Sequence, residues 1–459
     1  MHFINKITFY KILLCSAIIT IPFISSFKGI SALGVLGTQL SIYPLLLGLL
    51  LWFANVFFLK EKVYLPKKID CVFLIGILLW IVMSGLINFE NIIELNYQGI
   101  VGFNRYVIQT GAIFIYVLSA VMMFNWINKI DNSLDILQKC IYGSFVIAGA
   151  YSVIELIAFI NLDTALDLLS SVDSLFRNNY QGLFFLGRLR SVTAEGSYFG
   201  MYAGMILPWL MLGWLNSLRH KFIWGLINGY CFLLVIMTYS RTAYIMFFFE
   251  ILLFLYIFRK EMEKELKNLI IPGVIFFSVM LYFYIQMESR HPIEISTILL
   301  SVFDTSGKNM SNVARFGSQI AAYNIFLDNP FWGSGFGMYG FYAADYYPSE
   351  AWSSLEIQNW GSNVVGGNWP PAHGLYVRIL AELGLPGLAL WVSFLLLLIY
   401  RLYKKSKLIK HGKISMQSRA LLVSTIACVL CGFNVDSFAV IGLWIFVAFG
   451  WGVVNNKVN

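Results

Sequence analysis

Apolar runs close to the ~20 residues needed to cross a lipid bilayer recur along this chain, and they constrain its fold more than any other feature. They fall at about 9–27, 42–59, 69–88, 105–125, 137–160, 197–216, 221–239, 241–258, 268–287, 375–401, 419–435 and 437–454. Of the 459 residues, 59% are hydrophobic and 12% charged, and mean hydropathy is +0.73. A water-soluble domain carries roughly a quarter charged residues, and a single soluble core stops growing near ~250–300 residues. The chain therefore reads as an all-α polytopic membrane protein of about twelve transmembrane helices. Gly29–Ser41 is apolar but short and contains glycines, so it reads as a re-entrant candidate. The first run lacks a small-residue cleavage site and reads as a retained helix rather than a signal peptide.

Charge placement orients the map. With the N-terminus inside and the runs alternating, only ten of the 32 Lys and Arg fall outside: Lys28, Arg105, Arg177, Arg188, Arg190, Arg241, Arg290, Lys308, Arg315 and Arg378. Lys and Arg concentrate on the cytoplasmic side of membrane proteins, so both termini are predicted cytoplasmic. The net charge of +8 comes from short clusters between apolar runs, with no basic stripe interleaved with aromatics, so nucleic acid is excluded as a partner. Eight of the outward ten are arginine, whose planar fork suits bidentate binding of phosphate, whereas snorkelling or intraprotein ion pairs are the plainer use of such residues.

The six cysteines, Cys15, Cys71, Cys140, Cys231, Cys428 and Cys431, all lie in apolar runs, which implies no disulfide framework. The Cys428/Cys431 pair reads as two small residues on one helical face rather than a metal or redox motif. Four segments follow from the map: 1–184 with five helices and the first outward loop, 185–287 with helices six to nine, the large outward loop 288–372, and 373–459 with the last three helices.

The 85-residue stretch Glu288–Ala372 has no run able to span a bilayer. A connection this long is functional or disordered, and its many aromatics, from Phe303 to Trp369, argue against disorder. They suit stacking on sugar rings or anchoring at the membrane interface. Within it, Phe316, Ile320, Tyr323 and Leu327 recur at helical spacing over Ala314–Leu327, and Asn329-Pro330 ends that helix. Gly333-Ser334-Gly335-Phe336-Gly337 is a glycine-rich turn that permits close backbone approach to a ligand. His373 stands where a helix re-enters the bilayer, a position suited to proton transfer or to a structural role.

These residues carry a resemblance. Arg315, then Asp328-Asn329-Pro330-Phe331-Trp332-Gly333-Ser334-Gly335, then His373-Gly374-Leu375-Tyr376, then Ala381-Glu382-Leu383-Gly384-Leu385-Pro386-Gly387 resembles the signature of the O-antigen polymerase and ligase superfamily. Ser240-Arg241-Thr242 and Arg188-Leu189-Arg190 through Glu195-Gly196-Ser197 are similar to shorter motifs of that family. The likeness covers roughly residues 185–400. The chain departs from the pattern at Gly374, where Asn is common, and at Gly196, where Pro is common.

The resemblance implies a GT-C-like membrane glycosyltransferase of the bacterial inner membrane, facing the periplasm. It implies undecaprenyl-diphosphate-linked glycan as donor and acceptor, with membrane lipid as a partner and a chain-length regulator protein as an open one. Arg241, Arg315 and Arg190 are assigned to the diphosphate, whose charge builds as the glycosidic bond breaks. His373 is the first candidate base and Glu195 the second. Arg188, Tyr376, Arg378 and Trp332 are assigned to substrate. No cofactor is implied, and the outward segments hold no metal-ligand spacing, so transfer is expected to be metal-independent. A polymerase is favoured over a ligase because the long loop is aromatic and weakly charged. A transporter is disfavoured because there is no internal repeat and few charges lie within spans, chiefly Glu155 and Glu250. A glycosidase is disfavoured because Glu195, Asp345, Glu350 and Glu356 form no recognisable pair.

Overall fold

The structure is a computed structural model that describes residues 6–25, 30–159, 163–176, 188–217, 219–265, 310–409 and 412–455. The run at 268–287, the first part of the large loop, and Lys28, Arg177, Arg290 and Lys308 lie outside the described residues.

Helices dominate, as a chain in lipid requires, because only a helix or a closed barrel satisfies its own backbone there. Seven are long and apolar enough to cross a membrane: α2 (Ile42–Leu59), α3 (Lys68–Ile87), α5 (Gly102–Ile127), α6 (Ser133–Phe159), α8 (Gly196–Asn216), α15 (Leu375–Leu408) and α16 (Lys413–Cys431). Four shorter helices occupy four more of the expected runs: α1 (Lys6–Ile19), α9 (Lys221–Met237), α10 (Arg241–Ile257) and α17 (Ile441–Asn455), of which α9 and α17 are apolar. The outer surface of α2 and α3 exposes Leu50, Phe57, Phe58 and Leu79, as a lipid-facing surface does. α17 is buried all round from Ile441 to Val454, so it forms the centre of the bundle, packed against α5, α15 and α16. α8 packs against α9, α10 and α16. The stretch read as re-entrant is a short 3-10 segment, Ser31–Thr38, anchored beyond its end by Gln39, whose amide donates to the Ala439 carbonyl at 2.8 Å.

Alternation of the helices collects one set of charges at one end of the bundle. There Glu61 pairs with Lys6 and Lys129, Asp70 with Arg401 at 2.6 Å, Asp135 with Lys413 at 2.8 Å and Glu261 with Arg419 at 2.8 Å, the last through α11 (Arg259–Glu265). The connections at the other end are longer. They include α4 (Phe89–Glu94), a two-residue hairpin of β1 (Asn96–Tyr97) and β2 (Ile100–Val101), and α7 (Asp163–Phe176). They also include a folded region of α12 (Met310–Asp328), α13 (Tyr339–Tyr346) and α14 (Leu355–Gly361). This region has a small core of its own, built by Ala314, Ala321, Ala322, Ile325, Tyr339, Ala343, Tyr347 and Ile357. α12 buries its small residues against α13 and α15 and leaves Phe316, Ile320, Tyr323 and Leu327 exposed. Its large apolar face therefore points out of the fold, the reverse of an ordinary core-facing helix.

The glycine-rich turn also differs from its expected role. Gly384, with φ of 65°, and Pro386 break α15, which frees the carbonyls just before the break. Ser334 and Gly335 donate their N–H groups to the Ala381 and Glu382 carbonyls at 2.9 and 3.1 Å, and the Trp80 indole donates to the Leu383 carbonyl at 2.8 Å. The Leu385 N–H returns to the Pro330 carbonyl at 2.9 Å. The turn thus approaches the chain's own kinked helix, and Trp332 stacks on Trp80 with ring centroids 4.6 Å apart. A Cβ on Gly333, whose φ is 68°, would stand 2.3 Å from the Glu382 carbonyl carbon. Gly366, at φ of 78°, has nothing within 4 Å of the same position. Gly333→Ala is therefore expected to lower the melting temperature of the detergent-solubilised protein well below that of Gly366→Ala, which carries only the backbone cost of about 1 kcal/mol. Equal melting temperatures for the two variants would remove the clasp as a source of stability.

Candidate active site

Five separate pieces of chain meet at the loop-rich end. They are the start of α8, the start of α10, the first half of α12, the approach to α15 and the turn between α16 and α17. Ser240 caps α10, its hydroxyl accepting from the Ala243 N–H at 3.4 Å, and this sets Arg241 and Thr242 in the first helical turn. Arg315 reaches across from α12, donating from Nη1 to Thr242 Oγ1 at 3.2 Å and to Asn434 Oδ1 at 3.4 Å.

The approach to α15 is pinned on both sides of His373. Ala372 donates its N–H to Asp436 Oδ2 at 2.7 Å, and Leu375 donates to the Gly432 carbonyl at 2.7 Å. Gln319, one turn along α12 from Arg315, donates to the His373 carbonyl at 2.9 Å. His373 itself has φ of 51°, a left-handed conformation that costs a non-glycine residue roughly 1–3 kcal/mol and clusters at functional sites. Its Nε2 is buried without a hydrogen-bond partner, and its ring lies 5.3 Å from that of Trp360. Burial pushes the imidazole down to about pKa 4; Asp436 pulls it up and Arg315 pushes it further down. Neutral imidazole with an unused ring nitrogen is the state a proton acceptor needs.

Glu195 precedes α8, its carboxylate accepting from the Ser197 hydroxyl at 3.4 Å. The following Gly196 sits so close to the Leu189 and Thr238 carbonyls that a Cβ would stand 2.8 and 2.9 Å from them. Tyr198, on the first turn of α8, lies in the fields of Asp436, Glu195 and Arg315 together, and Glu356 of α14 in those of Arg315 and Glu195. Arg315, His373 and Glu195 are thus brought into one neighbourhood, with Arg241 beside Thr242.

The other expected residues have different partners. The Arg190 guanidinium pairs with Asp173 at 3.0 Å, while its N–H and that of Ser191 donate to the Glu155 carboxylate at 3.1 and 2.8 Å. Glu155, one of the two carboxylates inside a span, therefore shapes the segment leading to Glu195. Arg188 donates to the Tyr239 carbonyl at 3.2 Å. The Tyr376 hydroxyl donates to the Val429 carbonyl at 2.6 Å and its ring packs on Phe433. Arg378 pairs with Glu382 at 3.0 Å and donates to the Asp436 carbonyl at 2.6 Å and to Gln109 Oε1 at 3.2 Å. Trp332 belongs to the clasp on α15.

Asn434, Asp436 and Gln319 escaped the sequence reading. Asp436 fell in the one-residue gap between the runs 419–435 and 437–454. The available signal was a lone acid at the outward end of two apolar runs, with no base beside it in sequence. Among the described residues no group of three or more His, Cys, Asp or Glu is placed to hold a metal, and all six cysteines are free.

The chemistry available is charge neutralisation by Arg315 next to a neutral base. Between pH 6.5 and about 4 the unfolded chain takes up a proton at His373 that the folded protein does not, so His373 lowers stability as pH falls through that window. NMR of histidine-labelled protein should show one imidazole titrating near pH 4. Asp436→Asn should move it lower still and Arg315→Ala should move it higher; shifts of the opposite sign would break the assigned contacts.

Residues 226–392 match the sequence model of the family described as O-antigen ligase. No curated protein matches the chain. The match takes in Arg241, Arg315 and His373 and stops short of Glu195, Asn434 and Asp436.

Proposed function

We propose that the chain polymerises undecaprenyl-diphosphate-linked repeat units into O-antigen or a related surface polysaccharide, a reading supported by the match of residues 226–392 to the O-antigen ligase family model. The observation that carries this reading is Arg315, held by Thr242 and Asn434, beside the buried neutral ring of His373.

In this reaction the donor's anomeric carbon leaves its phosphate oxygen and bonds to a hydroxyl of the acceptor glycan. The leaving group is undecaprenyl diphosphate. Arg315 and Arg241 neutralise the charge that grows on it, an effect worth several kcal/mol in a site shielded from water. His373 Nε2 takes the proton of the attacking hydroxyl, with Glu195 the second candidate, and the Asp436 carboxylate favours the imidazolium so formed. The arginines supply the charge neutralisation that a divalent cation supplies elsewhere, so transfer runs without metal and EDTA leaves the rate unchanged. The lysine-rich end of the bundle, with its Glu61, Asp70 and Asp135 ion pairs, supports a cytoplasmic position for that end and a periplasmic one for Arg315 and His373.

A second reading, transfer of finished glycan to lipid A–core, is favoured by the family description itself. Gel analysis of surface polysaccharide from a strain lacking the protein separates the two. One repeat unit on the core without a ladder is the outcome expected of a lost polymerase. A bare core with accumulating lipid-linked polymer makes it a ligase. Arg315→Ala and His373→Ala are expected to abolish the ladder, each lowering turnover by about 10²-fold or more; normal ladders from both, at normal expression, sink the mechanism. Because His373 is held neutral, kcat/KM should stay flat from pH 8 to below 6 and fall only as pH approaches 4.

A further inference from the structure

A cavity of about 240 Å³ lies beside Asp436, between α5, α8, α15 and the segments around Pro370 and Ser437. Its polar lining includes Arg105, Tyr198, Arg378 and Asp436, and its apolar lining includes Ala112 and Ile113. Arg378 is fully engaged with Glu382, Gln109 and the Asp436 carbonyl. Arg105 is not. Its Nε donates to the Gly337 carbonyl at 3.1 Å and its guanidinium lies flat on the Trp369 ring at 3.6 Å, while among the described residues its terminal nitrogens donate to nothing. Asp436 commits Oδ2 to Ala372 and leaves Oδ1 without a partner, and the Tyr198 hydroxyl likewise has none among the described residues.

Charge and size then select the occupant. The two arginines of the wall are balanced by Glu382 and Asp436, so a diphosphate would meet two carboxylates as well as two cations. A neutral polyol can accept from Arg105, donate to Asp436 and do either with Tyr198. The apolar wall suits the C–H face of a sugar ring. Ligand sites generally span about 300–1,000 Å³, so this cavity holds one ring rather than an oligosaccharide. Asp436 also holds the Ala372 N–H, and Pro370 and Pro371 line the cavity, so it lies along the same approach to α15 that carries His373. We propose that Arg105, Tyr198 and Asp436 form a subsite for one neutral sugar ring of the acceptor glycan. This rests on the function proposed above.

The test uses the full-length protein in lipid nanodiscs and two probes. One is repeat-unit oligosaccharide released from the cell's lipid-linked pool and freed of phosphate; the other is inorganic pyrophosphate. Arg105→Met removes the donor and Ala112→Phe fills the cavity from its apolar lining, so the two variants fail in different ways if either misfolds. Each is expected to weaken oligosaccharide binding roughly tenfold or more and to leave pyrophosphate binding unchanged. Arg315→Ala should do the reverse. Undiminished oligosaccharide binding by both folded variants, or none by the unaltered protein, overturns the subsite. Full polysaccharide ladders from Arg315→Ala cells would instead overturn the underlying function, whatever the binding results.

Discussion

The Asp436 carboxylate, accepting the Ala372 N–H, is the contact on which the loop-rich end depends. It joins the turn between α16 and α17 to the extended approach to α15, and the Gly432–Leu375 hydrogen bond closes the same junction three residues on. Between these bonds His373 has no freedom to leave its left-handed conformation, and Gln319 fixes its carbonyl from α12. Asn434, two residues before Asp436, accepts from Arg315. One short turn therefore positions both the cation and the ring from opposite sides. Irregular backbone near membrane level is tolerable only where other protein groups satisfy it, and this turn does so with side chains of the candidate site.

The kink in α15 does comparable work further along. Breaking the helix at Gly384 and Pro386 would strand carbonyls in an apolar setting, and the turn after Pro330 supplies N–H groups to them. That is the physical use of the glycines that sequence alone offered as a ligand cradle. Gly333 must be glycine because it lies against the Glu382 backbone. A glycine pattern reports that something comes close, but not whether the partner is a ligand or the chain itself.

The same asymmetry decides what was legible elsewhere. Helices were legible because in lipid an apolar run of that length satisfies its own backbone only as a helix or in a closed barrel, and eleven of the twelve expected runs are helices among the described residues, seven of them long and apolar enough to cross a membrane. Arg315 and His373 were readable as candidates because the motifs around them resemble a family's and lie within the matched residues, whereas Glu195 lies outside them. Asp436 was not, since a single acid between two apolar runs has no pattern, and its partners Ala372 and Arg378 lie more than fifty residues away in sequence. Arg190 read as an outward cation, but pairing with Asp173 and the Glu155 hydrogen bonds are long-range facts that no local window contains. The apolar face of α12 was legible as a periodicity but its exposure was not, because periodicity names a face without naming what it faces.

The balance around His373 shows how such a site couples its two halves in the proposed reaction. Burial and Arg315 oppose a proton on the ring, and Asp436 favours it. At rest the opposing effects win, which keeps the imidazole neutral and ready to accept. When a diphosphate sits on Arg315 and gains charge as its sugar departs, it cancels the field that Arg315 projects onto the ring. One of the two opposing effects then weakens at the moment the attacking hydroxyl gives up its proton, while the Asp436 contribution stays in place. Leaving-group departure thus raises the basicity of the group that must receive the proton. The coupling needs no motion of either side chain, only that cation, ring and carboxylate be held at fixed separations, and the hydrogen bonds to Asn434, Gln319 and Ala372 hold them there.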